Sequence, residues 1–331
     1  VKTITVPDPR LDGLVLDKDY EIVSTKVTHR LAQRRSAYEV LRYERRVVKF
    51  NGELSAPPAP ASVFDKSIAD VSVLTGIIID KCLYFNPLYR QHQRMKAAGV
   101  NLSRSALTNW VHRTGDLIMP IHRAQIASIL SSSHLTIDET ANKAGHIKPG
   151  KLKRGWFWAL YGGEQEIGFI HTESRSLKEL QKLLGANGRV LQSDGLDLYQ
   201  RYAARVKEVV HAECWSHTRR QFLKAEKIEP ELTDEVVKRI RKFYEIEEKI
   251  RERDLTGAKK LEYRAEHSRP LVDDFFTWLQ STQQQHLLLP SSPFTKALNY
   301  TLTRENELKV FLTDPDVAID TNHNEREIRT P

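Results

Sequence analysis

The strongest constraint on this chain is a change of hydrophobic period near residue 134. Five short runs rich in Val, Ile, Trp and Phe read as strands there: 134–138, 155–162, 167–171, 189–194 and 206–212. Trp156, Phe157, Trp158, Ala159 and Leu160 place apolar groups on both faces, as a covered central strand requires. Helical spacing over 177–184 separates the third run from the fourth, and a second helix is expected over 196–205. The third and fourth strands can therefore pair in parallel through a crossover, which predicts an α/β sheet.

The flanks read differently. Residues 1–55 are mixed and strongly charged, which suggests a short strand pair with an exposed basic segment. Ala56-Pro57-Pro58-Ala59-Pro60 reads as a stiff extended linker and a candidate domain boundary. Helices are expected over 67–83 and from Pro87 to Ala98, with Gly99 as a stop, and Ser103 can cap a third over 104–117. Helix, glycine turn and helix outline a helix-turn-helix whose second helix would offer Arg104, Thr108, Asn109 and Arg113 to DNA; a helical hairpin that binds nothing fits the same pattern. From 216 to 312 the pattern is helical, with long charged helices over 235–253 and 259–279, a glutamine-rich break at 283–285, and a further helix over 296–307.

Charge narrows the partner. Lys plus Arg outnumber Asp plus Glu by 51 to 43, and the bases cluster: Arg30, Arg34 and Arg35; Arg42, Arg45 and Arg46; Arg219 and Arg220; Lys238, Arg239, Arg241 and Lys242. Such clusters suit a polyphosphate partner, although solvated helix faces carry similar charge. Cys82 and Cys214 are the only cysteines, which excludes a disulfide scaffold or a four-cysteine zinc site and fits a reducing cytoplasm. No run approaches the length of a membrane span and no signal peptide is visible. The chain opens without Met and stops at Pro331, as expected of a fragment.

Two acids close predicted strands: Asp138 ends His-Leu-Thr-Ile-Asp, and Asp194 ends Arg-Val-Leu-Gln-Ser-Asp ahead of Gly195. Ligands gather at the carboxyl ends of strands in open α/β sheets, so the two can converge. Glu325 lies in Asn324-Glu325-Arg326-Glu327-Ile328-Arg329, which looks like a helix start, with Arg326 and Arg329 three apart on one face where they could grip phosphate. Carboxylates suit phosphodiester chemistry, because Mg²⁺ takes hard oxygen ligands and paired ions can activate the attacking oxygen and stabilise the leaving one. Each acid alone is equally readable as a turn former or cap.

At these residues the sequence resembles the insertion-sequence-sixty-six family of bacterial transposases, of the DDE type. Six blocks match in order, from about residue 85 to the end: Pro87-Leu88-Tyr89-Arg90-Gln91; Ser103-Arg104-Ser105 with Leu107 and Trp110; Asp138-Glu139-Thr140; Ser193-Asp194-Gly195 with Tyr199; His211 with the run from Cys214 to Phe222; and Ile319-Asp320 with Asn322, Glu325-Arg326 and Ile328-Arg329. The resemblance implies a ribonuclease-H-like mixed sheet with a helical insertion, preceded by a helical DNA-binding region. It implies an N-terminal basic segment (1–55), a helix-turn-helix-like region (56–133), a catalytic core (134–222), an insertion (223–311) and the start of a catalytic helix (312–331).

The implied reaction is metal-dependent cleavage at mobile-element ends and strand transfer into target DNA. Asp138, Asp194 and Glu325 would hold Mg²⁺, or Mn²⁺ in its place. DNA contacts are expected from Arg104, Asn109, Arg113, Arg219, Arg220, Arg326 and Arg329. Cys214 and His217 are expected to form a structural pair rather than a zinc site, since two or three ligands leave such a site incomplete. Residues 1–55 carry no cysteine where the family has a zinc finger; Thr321 stands where Asn is expected, and Leu196 where Tyr is expected. The implied partners are element-end and target DNA, further copies of the chain and accessory transposition proteins, with no membrane, in the cytoplasm at the nucleoid. A truncated remnant that only binds DNA, or a stand-alone ribonuclease-H-like nuclease, is the rival reading.

Overall fold

Local capping signals decide where the helices of the N-terminal half begin and end. In the computed structural model, which describes residues 2–34, 37–50, 52–148, 151–162, 166–186, 188–285 and 288–322, Asp70 caps α1 (Val71–Cys82) by accepting from the Ser72 N–H at 3.0 Å. Helix α2 (Leu88–Ala97) ends at Gly99, whose φ of 80° lets the Val100 and Gly99 N–H groups return to the carbonyls of Met95 and Lys96. Ser103 then accepts from the Ala106 N–H at 3.1 Å and opens α3 (Arg104–Ser131). That helix continues well past residue 117 and contains Pro120, which removes one backbone bond from its interior. The chain divides into two compact units at this place, one ending at Pro120 and one beginning at Ile121.

In the first unit the expected short strand pair is a long hairpin. Strands β2 (Glu21–Arg34) and β3 (Ala37–Phe50) pair antiparallel, with a bulge between Ile22 and Ser24. Strand β1 (Lys2–Thr5) adds in parallel to β3, and β4 (Glu53–Ser55) pairs antiparallel with it. The proline run does not lead away from this sheet. Arg30 donates to the Pro60 and Ala61 carbonyls and Arg45 to Pro57, so part of the basic cluster holds the chain's own backbone. Leu31, Phe64, Leu74, Ile77, Met95, Leu107 and Trp110 form the core beneath.

The second unit is built on a five-stranded sheet in the order β7-β6-β5-β8-β9. Strands β5 (His134–Lys148), β6 (Lys151–Tyr161) and β7 (Ile167–Thr172) form an antiparallel meander, and β8 (Arg189–Ser193) and β9 (Val209–Glu213) are parallel to β5. Parallel pairing through a crossover is therefore present, but between the first and fourth strands and not the third and fourth. The edge of β7 that is paired faces β6, and the crossover through α4 (Leu177–Leu184) carries the chain to the open edge of β5. Helix α5 (Asp197–Ala203) links β8 to β9. Leu135, Ile137, Trp158, Leu160, Leu180, Leu191 and Tyr199 fill the space between these helices and the sheet.

After α6 (Trp215–Leu223) the chain is helical: α7 (Pro230–Glu252), α8 (Gly257–Tyr263), a π-helical turn (Arg264–Ser268), α9 (Arg269–Gln285), α10 (Pro293–Leu302), α11 (Glu305–Lys309) and a 3-10 turn (Val310–Leu312). The glutamines at 283–285 end α9 rather than break it. Helices α7, α9, α10 and α11 and the 3-10 turn share one core with Trp215 and Phe222, and α11 and the 3-10 turn cover the outer edge strand β9. Arg264 is fully buried: it forms a two-pronged ion pair with Glu247 and donates to the carbonyls of Phe311 and Asp314.

Candidate active site

The β5–β8 ladder decides where the acids stand. His134 pairs with Val190, Leu135 with Leu191 and Thr136 with Gln192. Asp138 and Asp194 each lie two residues beyond the last β5–β8 pair, so the in-register parallel ladder brings them side by side where it stops. Asp194 follows the end of β8 as expected, but Asp138 does not close its strand: β5 runs on to Lys148, paired with β6 alone. One oxygen of each is held by backbone: Asp138 Oδ1 accepts from the Glu139 N–H at 2.8 Å, and Asp194 Oδ1 from the Leu196 N–H at 3.0 Å. Burial pushes the Asp138 carboxyl up to about 6, against the pull of the Glu139 N–H, and the charges of Asp194 and Glu139 add to the rise. His217 faces the pair and acts in the opposite sense.

Beside Asp138, the buried Glu139 is gripped by Arg175 Nη1 at 2.8 Å and by the Tyr199 hydroxyl. Arg175 in turn lies over the Trp156 ring. Burial holds the Tyr199 phenol far above its ordinary range, so it stays protonated and donates to Glu139.

A second cluster braces the Asp194 turn from α10 and α11. The Tyr300 hydroxyl occupies the space where a side chain on Gly195 would stand: a Cβ there would lie 1.6 Å from it. Arg304 lies 4.0 Å over the Tyr300 ring, donates to the Gly195 carbonyl at 3.3 Å and pairs with Glu213 at 3.3 Å. Glu213 ends β9 almost fully buried, and burial pushes its carboxyl up to about 8, against the pull of Arg304 and with help from Glu307 and Asp194. Next to it, burial pushes His211 down to about 4, and its neutral ring meets Ser193 Oγ at 2.9 Å.

Cys214 and His217 are brought together at the start of α6. Burial works against the Cys214 thiolate, but hydrogen bonds with His217, Ser216 and Thr321 outweigh it and lower the thiol. His217 is raised in return, despite its burial. Thr321 reaches the sulfur through both its N–H and its hydroxyl, and the Trp215 N–H donates to Ile319, so residues 319–321 are fastened beside the acids. Glu325, Arg326 and Arg329 lie outside the described residues. Among the described residues, no three His, Cys, Asp or Glu side chains are grouped so as to hold a metal ion.

The expected DNA contacts separate into two places. Arg104, Thr108 and Asn109 are exposed at the start of α3 in the first unit, while Arg113 is half-buried over the Phe64 ring. Arg219 and Arg220 are exposed on α6 in the second unit, where Arg220 also reaches Ser216. Glu139, Glu213, Tyr300 and Arg304 are site residues that sequence reasoning missed. Glu213 had a usable signal, being an acid directly after a predicted strand, whereas Tyr300 and Arg304 had none.

The chain is 28% identical over 299 residues to the uncharacterized protein y4hP of Sinorhizobium fredii (strain NBRC 101917 / NGR234), covering 84% of this chain and 53% of that protein. It is 29% identical over 300 residues to y4jD of the same organism, covering 85% and 57%. The chain thus spans about half the length of these relatives. No described helix is long and apolar enough to cross a membrane. The family model described as "Transposase IS66 family" matches residues 66–331, four-fifths of the sequence, and on that match the chain belongs to the IS66 (insertion-sequence-sixty-six) family of transposases.

Proposed function

We propose that this chain carries the DNA-cutting and strand-joining centre of a DDE transposase, with Asp138, Asp194 and Glu325 as its carboxylates. The observation that carries the reading is the in-register placement of Asp138 and Asp194, each two residues past the last pair of the parallel β5–β8 ladder. A ribonuclease-H-like fold is supported by the antiparallel meander followed by two parallel strands reached through α4 and α5. The division into an N-terminal basic segment, a helix-turn-helix-like region, a core, an insertion over 223–311 and a final catalytic helix belongs to the same proposal.

Mg²⁺ fits the two aspartates as far as they go. Each keeps one oxygen on a backbone N–H, so the other is not engaged by a hydrogen bond among the described residues. Their mutual repulsion is the kind that a divalent cation relieves, and carboxylate oxygens are the donors that Mg²⁺ or Mn²⁺ prefers. When bound, the metal would polarise the phosphodiester and the attacking oxygen. The remaining work falls to the chain. Glu139 N–H and Leu196 N–H aim the carboxylates, Arg304 and Tyr300 hold the Asp194–Gly195 turn, and the exposed Arg219 and Arg220 would meet phosphates. Glu325 would complete the set, and the segment leading towards it is anchored on Cys214. The partners in this reading are element-end and target DNA, further copies of the chain and accessory transposition proteins, in the cytoplasm at the nucleoid.

The test is cleavage and joining of labelled element-end DNA with Mg²⁺, comparing the chain with Asp194→Ala. Cutting that needs the metal and disappears in the variant, with DNA binding retained, is the expected result. Cutting that survives in Asp194→Ala, or in excess chelator, refutes the assignment.

A further inference from the structure

Residues 81–115 contain no aspartate or glutamate, while Lys81, Arg90, Arg94, Lys96, Arg104 and Arg113 are basic. Asp80, at the edge of this stretch, is already paired with Arg94. Three aromatic side chains in the same stretch of chain are exposed: Tyr84 by 68%, Phe85 by 72% and Tyr89 by 56%. Arg104 lies over the Tyr89 ring at 5.8 Å. Bases interleaved with exposed rings form a surface matched to nucleic acid, in which phosphates meet the cations and base faces meet the rings.

Phe85 also has a backbone conformation that its fold does not explain. It lies in the left-handed region, with φ of 50°, at the turn that closes α1. The turn is tied down on both sides, by the Tyr84 N–H to Ile79 and the Asn86 N–H to Asp80, so the conformation is built in. At the end of α2 the same geometry is supplied by Gly99, at no steric cost. A phenylalanine pays for the strained backbone and leaves its ring in water, and neither cost is returned by packing.

We propose that the corner between α1 and α2 binds an unpaired DNA base, with the Phe85 ring as the stacking platform, Tyr84 beside it and the surrounding bases on the flanking phosphates. A base inside an intact duplex offers no free face, so this surface selects nucleotides that are bulged, frayed or single-stranded. The proposal rests on the reading of the chain as a DNA-acting transposase and adds a substrate feature to it.

The experiment is fluorescence anisotropy of the full chain with a labelled duplex and with the same duplex carrying one bulged nucleotide, at fixed salt. The wild type is expected to bind the bulged DNA about fivefold to a hundredfold more tightly, the range for one stacked base. Phe85→Gly keeps the left-handed turn, so it should bind both DNAs alike while unfolding at higher urea than the wild type. Arg104→Ala should weaken both by a similar factor. Equal binding of the two DNAs by the wild type, or a preference kept by Phe85→Gly, overturns the stacking proposal and leaves DNA binding intact. No binding to either DNA refutes both. A dimer that Phe85→Gly turns into a monomer would make the ring a subunit contact and overturn the proposal as well.

Discussion

Gly195 and Tyr300 offer a direct way to weigh the brace on the Asp194 turn. The backbone of Gly195 is not in the left-handed region, so alanine is acceptable there on conformational grounds. Space is the obstacle: the new Cβ would lie 1.6 Å from the Tyr300 hydroxyl and 2.4 Å from the ring carbon that bears it. Restoring ordinary contact needs the phenol to retreat by about 2 Å. Its ring is pinned by Arg304, which is bound to Glu213 and to the Gly195 carbonyl, so the retreat disturbs all three. Overpacking of this kind costs about 1–3 kcal/mol. Removing the ring in Tyr300→Ala clears the space, so in that background Gly195→Ala should cost less than about 0.5 kcal/mol. A double-mutant cycle by urea unfolding should therefore return a coupling of about 1–3 kcal/mol. If Gly195→Ala is nearly neutral alone, or costs the same with and without the tyrosine ring, the brace does not exist as described.

Two further predictions concern buried acids whose pKa is raised. Asp138 is held at about 6 against an ordinary 3.8, so the stability present below the lower value is lost as pH rises through 6. Asp138→Asn should therefore stabilise the metal-free protein at pH 7–8 by up to about 3 kcal/mol, measured by urea unfolding, while abolishing cleavage; a destabilised variant refutes the reasoning. Glu213 rises from 4.5 to about 8, so its contribution is lost between those pH values, with a ceiling of about 5 kcal/mol. Glu213→Gln should unfold with a flatter pH dependence than the wild type over pH 5–8.5, and parallel profiles would show that Glu213 ionises normally.

How much was readable from the sequence follows the range of each interaction. Gly99 and Ser103 act within a few residues, so the stop of α2 and the start of α3 were legible; the Asp70 cap was not read, and α1 begins at Val71 and not at residue 67. Asp138 and Asp194 were legible because each ends an apolar run. The hairpin strands were not: residues 139–148 include Gly145 and carry only Ala141, Ala144 and Ile147 as apolar side chains, and they are strand because they pair with β6, not because they alternate. The 259–279 helix hid its π turn, which places Arg264 in the core opposite Glu247; a buried arginine cannot be told from a surface one by its neighbours in sequence. Strand pairing was legible in kind and not in partner, since an open edge on β5 exists only once β6 and β7 have folded back. Tyr300 and Arg304 reach Gly195 from more than a hundred residues away, beyond any local pattern.

The placement of Trp215 has a consequence for the protein while it is being made. Its ring is enclosed by Phe243, Phe275, Phe276 and Phe311, its indole N–H donates to the Leu308 carbonyl, and its backbone N–H to Ile319. A ribosome adds about 5–20 residues per second, so the ~100 residues between Trp215 and Ile319 take about 5–20 s to emerge. Until the last of that interval a nascent chain leaves the enclosure of Trp215 incomplete, lacking Phe311, and the β9 edge uncovered, features that chaperones grasp. Both aspartates are synthesised early, but Tyr300 and Arg304 arrive near the end. A message cut short within the helices would thus yield a polypeptide with the first unit whole and the acid pair unsupported.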